Sequence, residues 1–202
     1  QVFGYNNICV YFDHPPSTYI LPLLWAITFV LLLFYMTAHW LQMRAEVRAG
    51  MLSRRLYLIL SNLKLFEAFT MAAFSTSFAV QPDAWDRSLY IHTVPFFLLQ
   101  IGLVSLAMSN TLHGIKSGYW RRLELPAWFE PAARAYVVIF ALVVCFKIPA
   151  AINAMAGSPW WEQSAGFIGV AHIFDLLFLL CAAIVPIVKA AYFVWVKGDK
   201  LE

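Results

Sequence analysis

The chain has 202 residues, 62% of them apolar, 17% aromatic and 12% charged, whereas an ordinary soluble domain is about 45–50% apolar and about 25% charged. So few polar groups cannot cover the surface of a fold in water, which excludes a soluble globular protein and makes lipid the main solvent. The formal net charge of +3 takes its meaning from where the cations lie along the chain.

Residues 1–18 read as an extracytoplasmic arm without Lys or Arg. Asp13 and His14 are ligand types, but two neighbours are too few for a metal site. A start at Gln1, with no Met and no basic-then-apolar leader, is the expectation for a processed or shortened chain. A spanning helix needs about 20 mostly apolar residues, and five stretches qualify, at 19–42, 56–80, 89–113, 134–155 and 165–195. The breakers Gln81-Pro82-Asp83, Glu124-Leu125-Pro126, Glu130-Pro131 and Gly157-Ser158-Pro159 fall between them. Residues 19–195 thus form one transmembrane domain and 196–202 a cytoplasmic tail. Leu125–Glu130 is expected to lie along the inner interface as a short amphipathic piece. Cys145 and Cys181 fall inside spans and read as small apolar residues, while Cys9 lies in the arm, where it is free to pair with another chain.

The cations sort by side. Arg44, Arg48, Arg54, Arg55, Lys116, Arg121, Arg122, Arg134, Lys189, Lys197 and Lys200 fall on one side, and only Arg87 on the other. Eleven against one predicts an all-α membrane protein, a polytopic bundle of five transmembrane helices with the N-terminus outside and the C-terminus inside. Trp40, Trp120 and Trp195 fall at the inner border and Trp85, Trp160 and Trp161 at the outer one, where an amphipathic indole is best placed. A bacterial inner membrane or an organellar membrane fits this pattern.

An ionisable side chain at the bilayer centre costs about 2.5–3.5 kcal/mol on insertion scales, so it needs a partner or a job. Glu67, Lys147 and Asp175 lie near the middle of the second, fourth and fifth spans, and Gln100 of the third reaches a similar depth. His172 precedes Asp175 by three residues and shares its helix face. Pro149 is expected to kink the fourth span beside Lys147. Glu67, Gln100, Lys147, His172 and Asp175 therefore form a candidate midplane polar or ion site. One ammonium against two carboxylates leaves a charge to be met by a proton, a bound ion or a second cation. Lys64, three residues before Glu67 on the same face, is a candidate for that cation. The alternative is that the charges only fix helix register, as polar groups between spanning helices commonly do. Ser105, Ser109 and His113 recur at i, i+4 and i+8 with Asn110 beside them, a polar stripe from the inner surface toward Glu67.

His39 and His113 end the first and third spans at the inner side, while His92 and His172 sit at the outer level of the third and fifth. An inner and an outer pair of imidazoles are candidate ligands for haem b or a pigment. His92 and His113 are 21 residues apart, about 31 Å along one helix, which would put two irons at opposite borders. Five spans with the N-terminus outside resemble the topology of the dihaem cytochrome b anchor of respiratory nitrate reductase. Leu112-His113-Gly114-Ile115-Lys116-Ser117-Gly118 resembles the His-and-Gly helix end of succinate dehydrogenase anchors. Both resemblances imply paired histidines inside facing helices, and the second and fourth spans here contain none.

No nucleophile elbow, phosphate-cradling Gly loop, zinc-protease helix or lipidation motif is present. The basic residues are explained by topology, which leaves no reason to expect nucleic acid. The leading expectation is a membrane subunit, not catalytic by itself, of a larger energy-transducing complex of electron or proton transfer, with a structural or cofactor-holding role and with other membrane subunits and lipid as partners. The alternatives are a small ion- or proton-coupled transporter or channel using the midplane site, and a b-type dihaem anchor.

Overall fold

The computed structural model describes residues 16–79, 85–155 and 173–197. Helix α1 (Ser17–Arg48) is followed by α2 (Arg54–Ser75), a 3₁₀ turn at Thr76–Ala79, α3 (Trp85–Lys116), the single turn α4 (Tyr119–Arg122) and α5 (Phe129–Met155). Residues 173–179 are helical and run through a π-helical turn, Leu180–Ile184, into α6 (Val185–Lys197). Five helical stretches are long and apolar enough to cross a bilayer: Tyr19–Arg48, Arg54–Phe78, Val94–Lys116, Phe129–Ile148 and Ile173–Tyr192. The protein is an all-helical, multi-pass integral membrane protein, and no strand occurs among the described residues.

Two helix ends differ from the sequence expectation. Helix α1 runs six residues past Gln42, because Met43 and Glu46 of its last turns are buried against neighbours instead of facing water. The expected interfacial piece is divided: Leu125 and Pro126 are irregular, Ala127 and Trp128 form a turn, and Phe129 and Glu130 already belong to α5. Pro131 does not stop that helix, since the N–H it lacks is among the first four, which have no intrahelical acceptor.

The described residues fall into two compact units, one ending at Val137 and one formed by residues 138–155 and 173–197. In the first, Gly50 in the left-handed conformation turns the chain from α1, and Ser53 caps α2 by accepting from the Leu56 N–H at 3.3 Å. Helices α1, α2 and α3 close over two apolar clusters. One gathers Met36, Met71, Phe74 and Leu99 beside Trp25 and Phe96; the other gathers Met43, Leu52 and Leu60 beside Trp40 and Leu112. Gly102 lets α2 and α3 approach closely, because any Cβ there would run into the Thr70 side chain. Trp120 lies against Gly114 in the same way and stacks edge-on to Phe129 at 5.0 Å, tying α4 to the start of α5. Leu31, Phe34, Leu65 and Phe69 point outward, as lipid-facing side chains do.

In the second unit Phe140 meets Phe178 at 6.0 Å and Phe146 meets Phe174 at 5.4 Å. The π-helical turn has a local cause. Pro186 has no N–H and its ring would press on the Ala182 carbonyl four residues back, so the backbone widens by one residue. The Val185 N–H accordingly bonds to the carbonyl of Leu180, five residues behind.

Candidate functional site

Buried side chains are polar almost as often as apolar: fourteen polar or charged ones are buried among the described residues, beside fifteen apolar ones. Each buried polar group needs a partner in hydrocarbon, and the partners define three clusters.

The first centres on Glu67, which is fully buried. Lys64, one turn earlier on α2, donates to its Oε2 at 2.9 Å. Ser105 and Ser109 of α3 donate to its Oε1 at 3.2 and 2.8 Å. The Lys64 ammonium also donates to Ser109 Oγ and to Asn110 Oδ1, each at 3.0 Å. Its three protons are therefore all placed and both carboxylate oxygens are met. The serine stripe does reach Glu67, and the residue that neutralises it is Lys64.

The second cluster lies at the end of the same unit where α1 finishes and α3 turns into α4. His39 Nε2 and His113 Nδ1 are 2.8 Å apart, and His113 Nε2 is 2.6 Å from Glu46 Oε2. Arg122 Nη2 donates to Glu46 Oε1 at 2.7 Å, and Gln42 donates to the same oxygen at 3.2 Å. Arg122 is fixed in turn by the Ser117 carbonyl, which accepts from Nη1 at 2.6 Å. The rings of Tyr35 and Tyr119 stack on His39 and His113, with centroids at 5.9 and 6.0 Å.

The third cluster is in the second unit. Lys147 of α5 donates to Asp175 Oδ1, and its ammonium lies 5.2 Å from the centre of the Phe178 ring. Asp175 Oδ2 is buried with no hydrogen-bond partner among the described residues.

The candidate midplane residues thus divide. Glu67 pairs with Lys64 and Asp175 with Lys147, so each carboxylate has its own ammonium and the charge left over in the sequence ledger is met by Lys64. Gln100 is fully buried, and neither of its amide atoms has a partner among the described residues. His172 and the side chain of His92 lie outside the described residues, as does the Pro149 side chain. The inner histidines do come together, but each turns a nitrogen to the other, and His113 gives its second nitrogen to Glu46. An iron between them would require both rings to separate and turn. Among the described residues no group of three His, Cys, Asp or Glu side chains is placed to hold a metal ion.

Sequence reasoning gave no site role to Glu46, which lies past the expected end of the first span, or to Arg122, which it counted only among the inner cations. A signal was present: His39 and Glu46 are seven residues apart, two helical turns on one face, so a buried His39 brings Glu46 inside with it. Compared with protein-family models, curated proteins and solved structures, the chain matches none, so the chemistry of these three clusters rests on their own geometry.

Proposed function

We propose that this chain is a membrane subunit of a larger energy-transducing complex, not catalytic by itself, which combines a structural role with proton transfer. The observation that carries this reading is the buried His39, His113, Glu46 chain, whose nitrogens and oxygens are hydrogen-bonded to one another in series. Groups linked in this way pass protons. The structural half of the role is supported by the Lys64 and Glu67 pair, whose filled hydrogen bonds lock α2 to α3. The basic end of the first unit, with exposed Arg44, Arg48, Arg54, Arg55, Lys116 and Arg121, faces the cytoplasm or its organellar equivalent.

The chain, purified in mild detergent from its own membrane, is expected to travel with other membrane subunits in fixed ratio, in a complex whose turnover moves protons. In that complex His113→Gln lowers proton uptake per turnover, and a chain that runs alone overturns the reading. Trypsin added outside sealed vesicles of native orientation should leave the bonds after Arg54 and Arg55 intact and cut them only in inverted vesicles. The opposite pattern would reverse the orientation.

A second reading, a small ion- or proton-coupled transporter, is favoured by one observation, the unpartnered Asp175 Oδ2 beside a π-helical turn. It requires flux through vesicles holding this chain alone and loss of that flux in Asp175→Asn.

A further inference from the structure

Hydrogen-bond direction at the inner cluster follows from Glu46. The Arg122 guanidinium donates to Glu46 Oε1 at 2.7 Å and pairs with the ionised carboxylate, which can only accept at Oε2, so His113 Nε2 carries the proton of that 2.6 Å contact and donates. A neutral His113 then has a bare Nδ1, and the single proton in the 2.8 Å contact sits on His39 Nε2. That leaves His39 Nδ1 as a bare nitrogen. It is buried and has no hydrogen-bond partner in the described structure. The one open end of an otherwise closed chain is thus a proton-accepting atom at the end remote from Glu46.

We propose that His39, His113 and Glu46 form a proton relay, entered at His39 Nδ1 and delivering to Glu46 Oε2. The proposal rests on the proton-transfer reading above and names its path. A proton binds His39 Nδ1; the Nε2 proton of His39 moves to His113 Nδ1; the Nε2 proton of His113 moves to Glu46 Oε2. One proton enters, both rings end neutral in the opposite tautomer, and the carboxylate ends as a carboxylic acid. Each transfer occurs inside a hydrogen bond already made, at 2.8 and 2.6 Å, without displacement of a heavy atom.

The surroundings give the relay its two ends. On the entry side, Tyr35 of α1 stacks on His39, Asn110 of α3 interacts with the Tyr35 hydroxyl, and the Lys64 ammonium of α2 acts on His39 through space. Lys64 cannot fill Nδ1, because its three protons already go to Glu67, Ser109 and Asn110. On the exit side, Tyr119 stacks on His113, and the Arg122 guanidinium links Glu46 to the surface, its side chain being 40% exposed.

The test is nitrogen-15 NMR of histidine-labelled, full-length chain in lipid nanodiscs, with the two rings assigned from His39→Gln and His113→Gln. At alkaline pH both rings should be neutral with the proton on Nε2. On acidification His39 should switch to the Nδ1–H form, with the added proton appearing further along the chain, on His113 or on Glu46. A His39 that carries its proton on Nδ1 at alkaline pH, or that becomes the imidazolium while His113 stays neutral, overturns the relay. Proton uptake by the native complex separates the two levels of the claim. In His39→Gln the amide still donates to His113 but cannot pass a proton on, and uptake should fall by at least about tenfold. Uptake that is normal and unchanged in His39→Gln overturns the relay and leaves the subunit reading standing. A complex that takes up no protons overturns the proton-transfer reading, and the relay with it, whatever the rings do.

Discussion

Replacing Lys64 by Met lowers the stability of the α2 and α3 pair by about 3–5 kcal/mol, because a fully buried Glu67 is left charged with only two serine hydroxyls for company. Two effects of different size compete here. Interhelical hydrogen bonds measured in membranes average about 0.6 kcal/mol and reach about 1.7, so losing the Lys64 bonds as bonds alone would be a modest change. The larger figure comes from the uncompensated charge. Glu67→Gln in the native background leaves the opposite charge stranded, with Lys64 still bound to Ser109 and Asn110. The double variant Lys64→Met/Glu67→Gln removes both charges and should recover most of either loss. Reversible unfolding in mixed micelles measures all three. A coupling energy larger than either single loss, and so above about 3 kcal/mol, with the double variant more stable than either single one, is the expected result. Strictly additive losses would mean that the pair is not felt as an ion pair.

What the sequence made legible follows from which interactions are local. The five spans were readable because length and apolarity decide them residue by residue, and the Ser105, Ser109, His113 stripe because helical periodicity puts those positions on one face. Lys64 and Glu67 were readable as neighbours for the same reason, at a spacing of three. The paired depth of His39 and His113 was readable too, but not what the rings would do on meeting. That is set by Glu46, whose own placement depends on Arg122, 76 residues further along the chain. Hydropathy assigns an isolated Glu or Arg to water, and only the non-local partner makes burial affordable. The end of α1 differs for that reason: the helix runs past Gln42 to Arg48 and carries Glu46 inside, while Arg44 and Arg48 stay exposed. Gly102 and Gly114 belong to the same class, since their meaning lies in Thr70 and Trp120 on the facing segments.

In the second unit Lys147→Met should again cost about 3–5 kcal/mol, and the two halves of this pair should not be equivalent. Without Lys147, the Asp175 carboxylate loses the donor to Oδ1 while Oδ2 already lacks one among the described residues, so a buried anion is left with no named partner. Without the Asp175 charge, in Asp175→Asn, the ammonium still faces the Phe178 ring at 5.2 Å, and a desolvated cation–π contact is worth about 2 kcal/mol. The Asn side chain also keeps an oxygen for the ammonium to donate to. Asp175→Asn should therefore be the milder change by about 1–2 kcal/mol, and Lys147→Met/Asp175→Asn should lie close to Asp175→Asn alone. Thermal unfolding of the four proteins in one detergent orders them. If Asp175→Asn proves the more damaging of the two, the stranded ammonium and not the stranded carboxylate dominates, and the ring contact contributes little. Activity per folded molecule separates the register role from a direct one: a pair that only fixes α5 against the 173–197 segment changes how much protein is folded and leaves the rate of what remains unaltered.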